Sequence, residues 1–246
     1  MSIQNLFENS GSWLFRFRSY LPLMIIPIVL MAGASYGYLG NSHAQTEWWG
    51  LGCLAISLLG QGLRIFTVGY VMKRTSGRNT RCQVAAFLNT TGIYSVVRHP
   101  LYLGNYLGLM GFILYFRNGW LAALVTCLFA LYYERIMFTE EAYLRGKFGV
   151  TFENWAAITP AFIPKLSGWR RAENIFCWRT ALRREYTGLF LVVGGFAILN
   201  IAADSWVERQ WRMDAHWAGV LVGGALTYVV LRTLKKHSSF LSVKGR

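Results

Sequence analysis

The chain has 246 residues, of which 54% are apolar and 16% aromatic; 25 Lys and Arg stand against 11 Asp and Glu, a net charge of +14. With a mean hydropathy of +0.33, it repeats apolar runs of about 20 residues, which excludes an ordinary water-soluble fold and points to an all-α, polytopic membrane protein. In a soluble chain so basic a balance would suggest nucleic acid, but its placement along this chain gives it another meaning.

Six transmembrane helices are expected, over residues 20–39, 47–72, 101–116, 119–139, 186–203 and 215–232. The third is short for a span, so the residues just before it are expected to share its depth. The first is too long for a signal-peptide core and is expected to be retained. The basic residues alternate between connections: Arg16 and Arg18, five in 73–98, nine in 135–184 and five from Arg232 onward, which is 21 of the 25. The other connections carry only Arg117, Arg209 and Arg212. By the positive-inside rule both termini are expected in the cytoplasm, in a plasma or inner membrane rather than the endoplasmic reticulum. The charge is then topology plus attraction to anionic lipid, and no nucleic-acid partner is expected. Residues 1–185 form the expected core, with a cytoplasmic segment over 140–185, and 186–246 add two further spans and a tail. The glycine pairs Gly194–Gly195 and Gly223–Gly224 suit a contact with a second copy or a wall toward lipid, and no pattern sets an oligomeric state.

Cys53, Cys82, Cys127 and Cys177 are scattered, and the four histidines lack ligand spacing such as H-E-x-x-H. No protein-bound metal is expected.

Arg64 lies inside the second run, in "LLGQGLRIFTVGY", with Gln61 one turn earlier on the same face. An ionisable group within a span defaults to a functional reading, although two turns from the end it also has the reach to snorkel. Arg64 is therefore a candidate catalytic residue, orienting an anionic acceptor, with Gln61 beside it in substrate binding.

Only a few residues around Arg117, Asn118 and Gly119 join the third and fourth runs, which forces an antiparallel helical hairpin. Arg98 lies 20 residues before Asn118 and Glu140 lies 22 after it, so at 1.5 Å per residue both return to one depth. The hairpin sets "RHPLY" beside "TEEAYL". Pro100 suits a first helical turn, and that helix end favours an anion. Arg98 and His99 add cationic groups, Glu140 and Glu141 supply acceptors, and Tyr102 and Tyr106 offer aromatic faces. A zwitterionic ligand such as S-adenosylmethionine needs both signs. Topology alone would also explain Arg98, and Gly104, Gly108 and Gly111 also suit close approach of the two hairpin helices.

These stretches resemble the integral-membrane methyltransferases of the isoprenylcysteine carboxyl methyltransferase and phospholipid methyltransferase type. The resemblance covers about residues 57–165 and rests on Gly92, Tyr94, Arg98, His99, Pro100, Tyr102 and Gly104, then Glu140, Glu141, Leu144, Phe148, Gly149, Pro160 and Pro164. Phe152 and Trp155 stand where the family has two tyrosines. The resemblance implies S-adenosylmethionine bound by Arg98, His99, Tyr102 and Leu103, with Gly104, Asn105, Glu140 and Glu141. It also implies a lipid or lipidated acceptor arriving from the bilayer, a prenylcysteine carboxylate, lipid phosphate or aminolipid headgroup, with Tyr94 on its side. An ionised acceptor needs chiefly positioning; an amine needs a base, for which Glu141 is the candidate. Residues 165–184, with six basic residues among Trp169, Phe176 and Trp178, are expected to form an interfacial helix. Two other readings are a sterol-reductase-like enzyme using NADPH, which shares an R-H-x-x-Y-x-G hairpin, and a non-enzymatic transporter or scaffold.

Overall fold

The computed structural model describes residues 3–17, 20–72, 75, 84–243 and 245; Arg18, Lys73, Arg74, Arg78, Arg81, Cys82, Lys244 and Arg246 lie outside them. The described residues form helices α1 (Ile3–Phe17), α2 (Ile26–Gly33), α3 (His43–Tyr70), α4 (Pro100–Tyr115), α5 (Gly119–Phe148), α6 (Val150–Ile158), α7 (Trp178–Glu208) and α8 (Ala215–His237). Strands are absent among them, so the fold is all-α as expected.

Four helices, α3, α5, α7 and α8, are long and apolar enough to cross a membrane. Leu59, Leu131, Leu191 and Leu226 on them are exposed; so broad an apolar exterior would aggregate in water and suits lipid. The chain is an integral membrane protein. The other two expected spans are shorter. The first run is a 3-10 turn, Leu21–Ile25, followed by the eight-residue α2. Pro27 in its first turn lacks the N–H that a continuous helix would need. The third run is α4, whose 16 residues span about 24 Å against a hydrocarbon core of about 30 Å. The N-terminal α1, ahead of the first expected span, lies on α5, where the Tyr132 hydroxyl donates to the Leu14 carbonyl at 3.3 Å.

The hairpin forms as expected. Asn118 caps α5, its side chain accepting from the Leu121 N–H at 3.2 Å, and only residues 116–118 separate the two helices. The small face of α4, however, meets α3 rather than α5. A Cβ on Gly60 would lie 2.5 Å from the Gly104 carbonyl oxygen and 2.7 Å from the Gly108 nitrogen. Gly111 is closed in by Ser57 and the Cys53 carbonyl, and the Ser57 hydroxyl donates to the Gly108 carbonyl at 2.7 Å. The α7 helix packs on α3 and α8 packs on α7, with Phe190 and Tyr228 rings 4.9 Å apart. Gly195 faces Phe112 of α4, and Gly224 faces Phe190 and Val193 of α7; both serve packing within the chain. The boundary expected at 185/186 falls inside α7.

The interfacial helix expected over 165–184 does not form before Trp178. Residues 159–177 are irregular apart from a short 3-10 turn, Leu166–Gly168, and run beside 92–99. The Arg98 and His99 N–H groups donate to Pro160 and Ala161, Lys165 N–H to Val96, and Gly92 N–H to Arg170. Backbone pairing outcompetes the helix there, and Pro160 and Pro164 disfavour the helix to begin with.

Because the α3–α4 contact is backbone against backbone, Gly60→Ala is expected to push the helices apart. The cost should be about 1–3 kcal/mol, read as a lower thermal midpoint in detergent, while Gly62→Ala, which meets nothing within 4 Å, should leave the midpoint unchanged.

Candidate active site

Two glycines set the motif's backbone. Gly92 (φ 62°, ψ −134°) and Gly149 (φ 52°, ψ −130°) occupy a region essentially closed to other residues. Gly92 turns the chain into the buried Ser95-Val96-Val97 stretch, and Gly149 turns α5 sharply into α6. Phe152 on α6 is fully buried, and the Trp155 indole N–H donates to the Tyr94 carbonyl at 2.9 Å. The two aromatic departures from the family pattern thus clamp the motif from beneath.

Arg98 and Glu141 meet across the hairpin. Nε of Arg98 donates to Oε1 of Glu141 at 2.8 Å and Nη2 to Oε2 at 3.3 Å. Nη1 donates to the carbonyls of Ala156 and Thr159, at 2.8 and 2.6 Å, where α6 ends. Arg98 is therefore a tie between α4, α5 and α6 rather than an unoccupied anion grip. His99 Nε2 donates to the same Glu141 Oε1 at 2.9 Å, and its Nδ1 lies 3.6 Å from Glu140. The Tyr102 hydroxyl donates to Glu140 at 2.6 Å. Burial pulls the His99 pKa down, but the hydrogen bonds and charges of Glu140 and Glu141 outweigh it, and the net shift is upward. The Tyr102 and Tyr133 rings lie 4.7 Å apart and Tyr133 and Phe129 4.1 Å, a column of aromatic faces.

Arg64 is also engaged. Its Nε and Nη2 donate to Glu185 of α7 at 2.9 and 3.0 Å, and its Nη1 donates to Asn105 at 2.6 Å. Gln61 reaches the same Glu185 carboxylate at 3.2 Å. Glu185 is 2% exposed. The guanidinium is neutralised by a bidentate partner, which removes the argument that it stands free for an anionic acceptor.

All of these groups line one cavity of about 1150 Å³. Gln61, Arg64, Tyr94, Arg98, His99, Tyr102, Gly104, Asn105, Glu140 and Glu141 reach it; Leu103, from the expected set, does not, since it lies off the cavity side of α4. Tyr106 is turned away as well, its hydroxyl on Thr126 and its ring against Phe129. Sequence reasoning missed Glu185, Arg184, Tyr133, and Leu14 and Phe15 of α1. The opposite part of the wall is apolar, with Ile25, Ile28, Leu109 and Leu128. Met24, Leu131 and Leu191 belong both to this wall and to the exposed apolar exterior.

The family model for phospholipid methyltransferase matches residues 51–151, the α3-to-α5 unit that carries these side chains. The chain belongs to the phospholipid methyltransferase family. It is 33% identical over 191 residues to the nickel-cobalt-cadmium resistance protein NccN of Alcaligenes xylosoxydans xylosoxydans, covering 77% of this chain and 84% of the relative. It is 32% identical to the cobalt-zinc-cadmium resistance protein CzcN of Cupriavidus metallidurans, over 62% of this chain and 68% of the relative. A shorter match, 34% identical over 77 residues, joins it to the protein-S-isoprenylcysteine O-methyltransferase of Schizosaccharomyces pombe, covering 31% of this chain and 33% of that one. No solved structure matches the chain. The family match supports a membrane methyltransferase, while the two relatives matched over the greatest length are named for metal resistance.

Two outcomes test the site's electrostatics. Glu185→Ala should lower stability by about 1–3 kcal/mol by leaving the half-buried Arg64 without its carboxylate partner, and Arg64→Met/Glu185→Leu together should recover much of it; thermal midpoints in detergent report both. Because the folded His99 pKa is raised, its stabilisation is complete below the unfolded value of about 6.5 and is lost as pH rises through the folded value. The stability advantage of wild type over His99→Gln should therefore be largest in acid and shrink above about pH 6.5.

Proposed function

We propose that the chain transfers a methyl group from S-adenosylmethionine to a lipid or lipidated acceptor that enters its cavity from the bilayer. The observation that carries this reading is the cavity itself. At about 1150 Å³ it exceeds the roughly 300–1,000 Å³ of a pocket for one small molecule. One end is rich in carboxylates and the other is apolar and continuous with the lipid-facing surface.

The residues fit the cofactor. Glu140 and the aromatic column of Tyr102, Tyr133 and Phe129 suit an ammonium or ribose and an adenine, and Arg135 and Arg184 reach the same cavity as cations. When bound, the cofactor supplies an electrophilic methyl group on a sulfonium. The protein's part is positioning and charge. His99 and Tyr102 hold the Glu140 carboxylate toward the cavity. Glu141, which accepts from Arg98 and His99 on both oxygens, holds the hairpin together and leaves the role of base to Glu140. The acceptor's apolar part fills the chamber bounded by Ile28, Leu109 and Leu128. With Glu140 open to the cavity as a base, an amine-bearing headgroup suits the site better than a carboxylate, which needs none. In the orientation read from the charges, this end faces the cytoplasm. The metal-resistance names of the two bacterial relatives extend to this chain, within the proposal, as methylation of envelope lipid under metal stress.

The test is methyl transfer from isotope-labelled cofactor by the full chain in nanodiscs made from native lipid extract. Label should appear in aminophospholipid. Glu140→Gln should reduce transfer by about 10²-fold, and Leu103→Ala should leave it near wild type. Label only in an added prenylcysteine peptide would overturn the acceptor assignment, and failure of the folded protein to bind the cofactor would overturn the reaction.

A further inference from the structure

At the end of the molecule away from the active site, chemistry gathers that methyl transfer does not use. His43 opens α3, Asp204 lies in the last turns of α7, and Asp214 is the residue before α8. His43 Nε2 lies 3.3 Å from Asp204 Oδ2 and 3.4 Å from Asp214 Oδ2. Both separations exceed the usual 2.7–3.2 Å of an N–H···O bond. One imidazole nitrogen also carries at most one hydrogen, so it cannot donate to two carboxylates at once.

The same separations are those of ligands around a tetrahedral ion. With metal–ligand bonds of about 2.0–2.1 Å, the ligand–ligand edge of a tetrahedron is ~3.3–3.4 Å. The ligating atoms of His43, Asp204 and Asp214 all lie within 4.8 Å of one another, and Asp214 belongs to a second such group with Glu47 and His216. Asp204 is 6% exposed, and a carboxylate so buried needs positive charge close to it. The His43 ring is fixed edge-on to Tyr38 at 5.3 Å. Arg212 is the competing cation, with Nε 3.4 Å from Asp214 Oδ1 and Nη1 3.0 Å from Glu208.

We propose that His43, Asp204 and Asp214 form a binding site for a divalent transition-metal ion, three protein ligands with a fourth position toward the Glu47–His216 pair. The mixed imidazole and carboxylate set suits zinc, cobalt or nickel, whereas magnesium and calcium prefer oxygen alone. An ion there ties the start of α3 to the end of α7 and the start of α8. Those helices also carry Arg64 and Glu185, so occupancy stiffens the frame on which the active site is built. The histidines lack ligand spacing in the sequence because the ligands come from three distant segments. The site goes beyond methyl transfer and does not depend on it.

The experiment is zinc titration, by calorimetry, of chelator-treated full-length protein in detergent, with cobalt(II) absorption as a second readout. Wild type should bind one equivalent of zinc at this site and ignore magnesium, and the cobalt form should show the intense visible bands of four-coordination. His43→Gln and Asp214→Asn should abolish binding while the thermal transition persists. Arg212→Gln, which removes the competing cation, should tighten it. Absence of saturable zinc binding by folded wild type would overturn the proposal, as would binding indifferent to both ligand variants or a six-coordinate cobalt spectrum.

Discussion

The active end of this protein depends on one guanidinium. Arg98 is bonded to Glu141 of α5 and to the carbonyls that α6 leaves open at its C-terminus. Helix ends within a membrane protein must find partners for those carbonyls, and a charged, forked donor satisfies two of them while holding a carboxylate. Three helices and the chain segment 159–170 are thereby held in one arrangement. His99 and Glu140, the groups that face the cavity, inherit their positions from it. A basic residue that would pass for a topology signal is the fastening of the site.

The second constraint is the contact of α3 with α4. Gly60, Gly104 and Gly111 bring the two backbones close, which places Arg64 directly over the start of α4. In lipid, such packing replaces the hydrophobic driving force that water would give. The half-buried charge of Arg64 then calls for an opposite charge, and α7 provides it through the buried Glu185. The α7 helix consequently packs on α3, and α8 on α7, with α7 forming part of the cavity wall through Glu185, Gly188 and Val192.

One cavity combines a polar end, with Glu140, Glu141 and Arg98, and an apolar chamber, with Ile28, Leu109 and Leu128. Its wall is shared with the exposed apolar surface through Met24, Leu131 and Leu191, so the cavity borders the region that faces lipid.

The sequence by itself determined the membrane character, the helical class, the α4–α5 hairpin and the juxtaposition of Arg98-His99-Pro100 with Glu140-Glu141. All of these follow from local rules: apolar run length, a short connection, and a fixed rise per residue that converts sequence distance into depth. Only the tertiary structure decided which groups remain available. It took Arg64 and Glu141 out of their expected free roles, turned Tyr106 and Leu103 away from the cavity, and showed that the glycines of α4 face α3. It also added α1, placed Glu185 beside Arg64, and brought His43 to Asp204 and Asp214. Depth matching had the means to suggest Glu185: it lies about 10 Å into α7, as Arg64 lies about 9 Å from the end of α3. Depth, however, leaves rotation about the helix axis open. Which face a helix turns to its neighbour is set by packing between segments far apart in the chain, and that information appears only when all the helices are in place.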